Sequence, residues 1–183
     1  MTPLVFVSVG TDHHPFDRLV GWADRWPRSS SVGGEVFIQR GTSLLPPSAA
    51  STDYLGKGQL DDYLEAAAAV VCHGGPSTIM GARGAGIRPI VVPRDPSLGE
   101  HVDGHQLAFC DHLERYELVW RARTEAQLHE LIDAAISDPS TVRLSDDEQA
   151  DLVGPTIARF GSMVDNLLGR IPPVPSSGRA SAV

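Results

Sequence analysis

The residues best suited to chemistry fall in three short runs. They are His73-Gly74-Gly75-Pro76-Ser77-Thr78, Gly99-Glu100-His101-Val102-Asp103-Gly104-His105-Gln106, and Gly10-Thr11-Asp12-His13-His14. The first run suits an anion. A helix start leaves N–H groups without intrahelical partners, and the helix dipole adds about half a positive charge there. Pro76 stands where a first helical residue belongs, Ser77 and Thr78 bring hydroxyl caps, and two glycines clear the approach. A phosphate or diphosphate therefore fits against Gly74, Gly75, Ser77 and Thr78. Taken alone, the Gly-Gly pair is better explained by a tight turn with no ligand, which needs only local chemistry. The second run favours the ligand, because Glu100, His101, Asp103, His105 and Gln106 fall just past the next strand, on the edge where open α/β sheets bind ligands. In the third run His13 or His14 can serve as a general base or a phosphate donor; the competing reading is a solvent-exposed turn.

The elements that must position these runs follow from apolar patterning. Leu4 to Val9 and Ala69 to Cys72 are near-continuous apolar runs, as expected of parallel strands buried on both faces. Glu35 to Gln39, a short stretch around Asp53 to Leu55, Pro89 to Val92 and Glu117 to Trp120 read as further strands. Arg40, at the end of one of them, could reach a phosphate. Leu44 to Ser51 reads as a proline- and alanine-rich loop. Helices are expected from Phe16, Leu19, Val20 and Ala23 after Pro15, from about Leu60 to Ala68, Ile79 to Ala85, His105 to His112 and Glu125 to Ile136. A last helix is expected from Asp146 and Asp147 to about Leu168, interrupted at Gly154-Pro155. About six strands alternating with helices give an α/β fold, a doubly wound Rossmann-like parallel sheet. The domain is expected to span 1–168, with a disordered tail over 169–183.

Bulk properties narrow the class. A chain of 183 residues suits one domain, and 42% hydrophobic with 21% charged residues describes a globular protein. A net charge of −8 argues against nucleic acid as a partner. No apolar run approaches a membrane span, and the start resembles a strand rather than a signal peptide. Cys72 and Cys110 read as reduced thiols of a cytoplasmic protein. Neither a Gly-x-Gly-x-x-Gly nor a Gly-x-x-x-x-Gly-Lys-Ser/Thr motif occurs, which removes nicotinamide, flavin and P-loop readings. His101 and His105, four apart, would share one helix face in a metal-ligand spacing, but no third ligand follows from sequence. No metal and no cofactor are expected.

His73-Gly74-Gly75-Pro76-Ser77-Thr78, with Gly86-x-x-Pro89 and the Gly99 to Gln106 loop, resembles the C-terminal, donor-binding domain of family 28 glycosyltransferases. Val5 to Thr11 resembles the first strand and loop of that family's small single-domain catalytic subunits, which act in two-subunit enzymes of exopolysaccharide and lipid-linked-sugar synthesis. The similarity spans about residues 3 to 168. It implies one half of a GT-B architecture and a metal-independent, inverting hexosyltransferase. By position, His73, Gly74, Gly75, Ser77 and Thr78 would cradle the donor diphosphate, with Gly10 and Thr11 lining the same cleft. His105 and Gln106 would bond the donor sugar hydroxyls, Asp103 and Glu100 would orient that loop or reach the sugar, and Pro89 to Arg94 would form a wall near the base. His13 or His14 is the candidate catalytic base.

One position departs from the family pattern: Gly81 stands where a ribose-binding glutamate is usual, which weakens the inference of uridine. The resemblance also implies partners. A UDP-sugar would be the donor, a membrane-anchored subunit would bring the acceptor site, and a lipid-linked sugar at the inner face of the membrane would be the acceptor. Two other readings are a non-catalytic nucleotide-sugar-binding module and a metal-dependent hydrolase built on His101 and His105.

Overall fold

The computed structural model describes residues 2–150. The expected last helix therefore lies largely outside the described residues, as does the tail from Gly169. The described part is a six-stranded sheet in the order β3-β2-β1-β4-β5-β6. Every strand pair is parallel. The strands are β1 (Leu4–Ser8), β2 (Glu35–Gln39), β3 (Ala50–Thr52), β4 (Ala69–Cys72), β5 (Ile90–Val91) and β6 (Trp120–Arg121). The helices are α1 (Asp17–Ser29), α2 (Lys57–Ala66), α3 (Pro76–Gly84), α4 (His105–Arg115), α5 (Glu125–Ser137) and a short α6 (Asp146–Ala150).

The apolar runs lie where burial on both faces demands them. Val5, Phe6, Val7 and all of β4 are buried. Successive side chains of a strand point to opposite faces, and β1 shows the split. Val5 and Val7 pack with Phe16, Leu19 and Trp26 of the α1 segment and with Leu128 and Ile132 of α5. Phe6 packs with Leu64 of α2 and Ala82 of α3 on the other face. Helices thus cover both faces of the sheet, the doubly wound arrangement.

The chain builds one half of the sheet as β1, β2, β3, then crosses over and builds the other as β4, β5, β6. The reversal lies between β1 and β4, whose ends pair as Ser8 with Cys72. Loops leaving those two strands therefore diverge and open a crevice at the carboxyl edge, the general ligand position of such sheets.

Several boundaries differ from the sequence expectation: α3, for instance, starts at Pro76 rather than Ile79 and α4 runs on to Arg115. The third strand is Ala50–Thr52 rather than 53–55, overlapping the end of the stretch read as loop. Among the described residues it is an edge strand paired only with β2, and small polar residues there carry no periodic signal. The sixth strand is Trp120–Arg121, because Glu117 adopts φ 55° and turns the chain. Helix α2 starts at Lys57, where Gln59 Oε1 accepts the Gly56 N–H at 3.2 Å.

Candidate functional site

The crevice is assembled by glycines and one buried imidazole. The His73 ring lies between two backbones: a Cβ on Gly10 would come within 2.5 Å of its Cε1, and one on Gly75 within 2.2 Å of its Nε2. Gly10 and Gly74 have φ of 79° and 87°, which L side chains rarely adopt. Gly74 also abuts α4, where a Cβ would meet Cys110 Sγ at 2.4 Å. The Gly10 loop is locked from beneath. Ser8 Oγ donates to Gln39 Oε1 at 2.6 Å, and Gln39 Nε2 donates to Gly10 O at 3.1 Å.

Beside this loop α3 begins at Pro76, with Gly75 as its N-cap and no side-chain capping bond. Proline has no N–H, so the amides of Ser77 and Thr78 are the first helical donors, and no side chain competes for them. They border a cleft of about 410 Å³ together with Gly10, Thr11, His73 and Gly75. Six of the seven residues assigned to the diphosphate thus line one cavity. Gly74 lies behind them, where its missing side chain lets α4 approach. The cleft also takes in Gln39, Tyr54, Leu55, Lys57 and Leu60, which the sequence reading did not single out. Their positions follow from β2, β3 and α2, and no motif marks them.

His73 is neutral. Burial first, and the nearby Arg94 charge second, push its pKa down from 6.5 to about 4. An anion in the cleft is therefore met by amides rather than by an imidazolium. Stability follows from the same shift. Between about pH 4 and 6.5 the unfolded histidine takes a proton that the folded one refuses, so the unfolded state binds more protons and stability drops as the pH is lowered. We expect a loss of about 3 kcal/mol across that window from this group, read by urea unfolding. His73→Asn should flatten that part of the profile.

The cysteines are inert. Burial pushes both Cys72 and Cys110 up to about 12, leaving no thiolate near neutrality.

The loop between β5 and α4 is held by two buried charged residues. Glu100 accepts from Arg18 Nε at 2.8 Å, Arg18 Nη2 at 2.7 Å and the Asp95 N–H at 2.8 Å. Its carboxylate faces inward and fastens the loop to α1. Arg94 is fully buried. Its guanidinium donates to Val9 O at 2.8 Å, His14 O at 2.7 Å and Glu100 O at 2.9 Å, and stacks 4.9 Å above the Phe16 ring. Arg94 is thus the tie between the first and second loops, not a wall of the cleft as the resemblance implied. Two of its three carbonyl partners, Val9 and His14, lie 85 and 80 residues away, so nothing local announces that role.

The polar tip of the second loop is more open. Asp103 Oδ2 lies 2.9 Å from His105 Nδ1, both partly exposed, and the Gln106 amide oxygen faces the Arg94 N–H at 3.4 Å. His101 does not share a helix face with His105, because α4 starts only at His105. It turns instead to the first loop, with Nε2 3.6 Å from Asp12 Oδ2. Asp12 Oδ1 in turn accepts the His14 backbone N–H at 2.7 Å and lies 2.6 Å from His14 Nδ1. Among the described residues, ligating atoms of Asp12, His13 and His14 lie within 4.8 Å of one another. With an Asp12 oxygen already committed to two His14 N–H groups, the trio reads as a hydrogen-bonded loop rather than a metal centre.

Comparison with known proteins decides the family. The model of the glycosyltransferase family 28 C-terminal domain matches residues 4–155. The chain belongs to this family. Similar solved structures include CalG4, the calicheamicin glycosyltransferase, at 19% identity and a TM-score of 0.61, covering 94% of this chain and 45% of that one. The glycotransferase of kitacinnamycin follows at 17% and 0.60, covering 93% of this chain and 43% of that one. The spinosyn forosaminyltransferase SpnP gives 17% and 0.55, with coverages of 91% and 40%. This chain therefore spans less than half the length of these structures, which it matches in fold. No curated protein matches it in sequence.

Within the family 28 domain, Gly81 sits on the inner side of α3. A Cβ there would come within 2.9 Å of Leu64 Cδ1. The glycine lets α2 approach α3, and a glutamate at this position would have to displace Leu64.

Proposed function

We propose that this domain is the donor half of a glycosyltransferase that binds a UDP-sugar by its diphosphate. The observation that carries this reading is the uncapped start of α3 beside Gly75, at the sheet's reversal point. Glycosyl transfer develops negative charge on the departing diphosphate. Amides of Ser77 and Thr78 aimed at that group, backed by the α3 dipole, stabilise it without a metal ion. Tyr54, Leu55 and Leu60 offer the nucleoside an apolar wall. Asp103, His105 and Gln106 sit on the neighbouring loop, where the sugar of a bound donor would extend. Transfer by single displacement inverts the anomeric centre, and the acceptor must then enter from the open carboxyl edge.

That edge supports a partner. Exposed Leu44 and Leu45 follow β2, exposed Tyr54 follows β3, and exposed Leu98 and Val102 follow β5. In a parallel sheet these loops share one rim. A second, membrane-anchored chain covering the rim would bring a lipid-linked sugar acceptor and exclude water from the cleft. The setting is polysaccharide synthesis at the cytoplasmic face of a membrane. Among the described residues no helix is long and apolar enough to cross a membrane, so on this reading the partner supplies the attachment.

Calorimetry of the full chain with UDP-N-acetylglucosamine, UDP-glucose, UDP-galactose and a dTDP-sugar tests the proposal, with and without EDTA. The expected result is preferential binding of one UDP-sugar that EDTA leaves unchanged. His105→Ala or Gln106→Ala should cut discrimination among sugars roughly two- to tenfold, the worth of one hydrogen bond, while UDP binding holds. No binding of any nucleotide sugar, or binding abolished by EDTA, would overturn it.

A further inference from the structure

A glycosyl transfer needs a group to receive the proton of the attacking hydroxyl. The loop after β1 carries two adjacent histidines, and the structure separates them. The His13 side chain is 82% exposed, and its Nδ1 lies 3.7 Å from Asp12 Oδ1, beyond hydrogen-bond length. The His14 side chain is only 22% exposed, with Nδ1 2.6 Å from the same oxygen. A carboxylate can only accept, so the shared proton sits on His14 Nδ1 and leaves the Nε2 lone pair free. Asp12 is a carboxylate in this setting. Partial burial pushes its pKa up, but the two His14 N–H groups and the Arg94 charge more than offset this and hold it below the ordinary value.

The second loop braces the pair. The Asp103 N–H donates to His101 Nδ1 at 3.3 Å, which puts the His101 proton on Nε2, the atom facing Asp12 Oδ2 at 3.6 Å. Asp12 therefore lies between two imidazoles, one from each loop. Arg94 Nη1 holds the His14 carbonyl at 2.7 Å and the Glu100 carbonyl at 2.9 Å, fixing the loops relative to each other. Asp12 also follows directly on Thr11, a wall of the diphosphate cleft.

We propose that Asp12 positions His14 as the general base of the transfer, so that the donor half carries both the grip on the leaving group and the base. The inference rests on the glycosyltransferase reading and deepens it. As the acceptor oxygen bonds to the anomeric carbon, its proton passes to His14 Nε2. The bond from that carbon to the diphosphate oxygen breaks with its electron pair, and the nucleoside diphosphate leaves against the α3 amides. A partner then needs only to present a hydroxyl, and water can stand in for it.

The test joins two measurements on the full chain. Histidine ¹⁵N NMR should show His14 in the Nδ1–H tautomer, shifting toward Nε2–H in Asp12→Ala. His14 with Nε2–H in the native chain, or a tautomer indifferent to Asp12→Ala, would overturn the positioning role whatever the variant does to folding. With UDP-N-acetylglucosamine, UDP-glucose and UDP-galactose as probes, slow UDP release into water should fall roughly 10²-fold or more in His14→Gln and about tenfold or more in Asp12→Ala. Calorimetric donor affinity should hold within about threefold in both. A bound donor released no faster than in buffer, release lost in His13→Gln but kept in His14→Gln, or release abolished by EDTA would each overturn the assignment. Absence of donor binding to the native chain would instead overturn the glycosyltransferase reading.

Discussion

Gly75→Ala should cost the domain about 2–3 kcal/mol in stability and weaken nucleotide-sugar binding roughly 10- to 100-fold. The backbone is not the reason, since φ −73° and ψ 137° at Gly75 suit alanine. The reason is space: the new methyl would lie 2.2 Å from His73 Nε2, and Gly10 already crowds the same Cε1–Nε2 edge of the ring. Relief requires the ring or the α3 start to move, and the Ser77 and Thr78 amides then lose their aim at the diphosphate. The clash has one partner, so the effect should be strongly non-additive. In a His73→Ala background the same Gly75→Ala change should cost little, giving a coupling energy of about 1.5 kcal/mol or more in a double-mutant cycle. Urea unfolding of the four proteins reads it. Additive costs would mean that the imidazole is not what keeps position 75 a glycine.

The second large effect is expected at Arg94. Replacing it by methionine keeps much of the buried bulk but withdraws the donors from the carbonyls of Val9, His14 and Glu100. Buried acceptors left without partners are expensive, and the loss should reach about 3–5 kcal/mol. Its location is more telling than its size. Hydrogen exchange should accelerate together in the loop around Gly10 to His14 and in the loop around Asp95 to Asp103, while α5 keeps its protection. A methionine variant within about 1 kcal/mol of the native protein, or exchange confined to one loop, would show that the loops are held independently.

These two positions also show what a sequence can and cannot reveal about such a site. β1 and β4 were legible because strands buried on both faces must be apolar throughout, and Val5 to Val7 and Ala69 to Cys72 are. The α3 start was legible because glycine, proline and hydroxyl residues each have a local reason to be at a helix entry. β3 was not, since Ala50-Ser51-Thr52 at a sheet edge needs neither apolar mass nor alternation. The end of the fifth crossover was misplaced because a left-handed Glu117 carries no compositional mark. Arg94 and the inward turn of His101 were hidden for a different reason: their partners lie on a loop some 80 residues upstream, and only the closing of the sheet brings them together. The residues proposed to hold the diphosphate thus share a local chemical signature. The link between the two loops was written in topology.

On the proposed function, amides at the start of α3 receive the diphosphate of a nucleotide sugar. The most direct measurement is a crystal structure of the full chain soaked with the nucleotide sugar that calorimetry selects. Pyrophosphate oxygens should appear within about 3.2 Å of the Ser77 and Thr78 nitrogens, in the cleft bounded by Gly10, Thr11 and Gly75. A diphosphate seated elsewhere, for instance in the arginine-lined pocket of Arg18, Arg121 and Arg123, would contradict it.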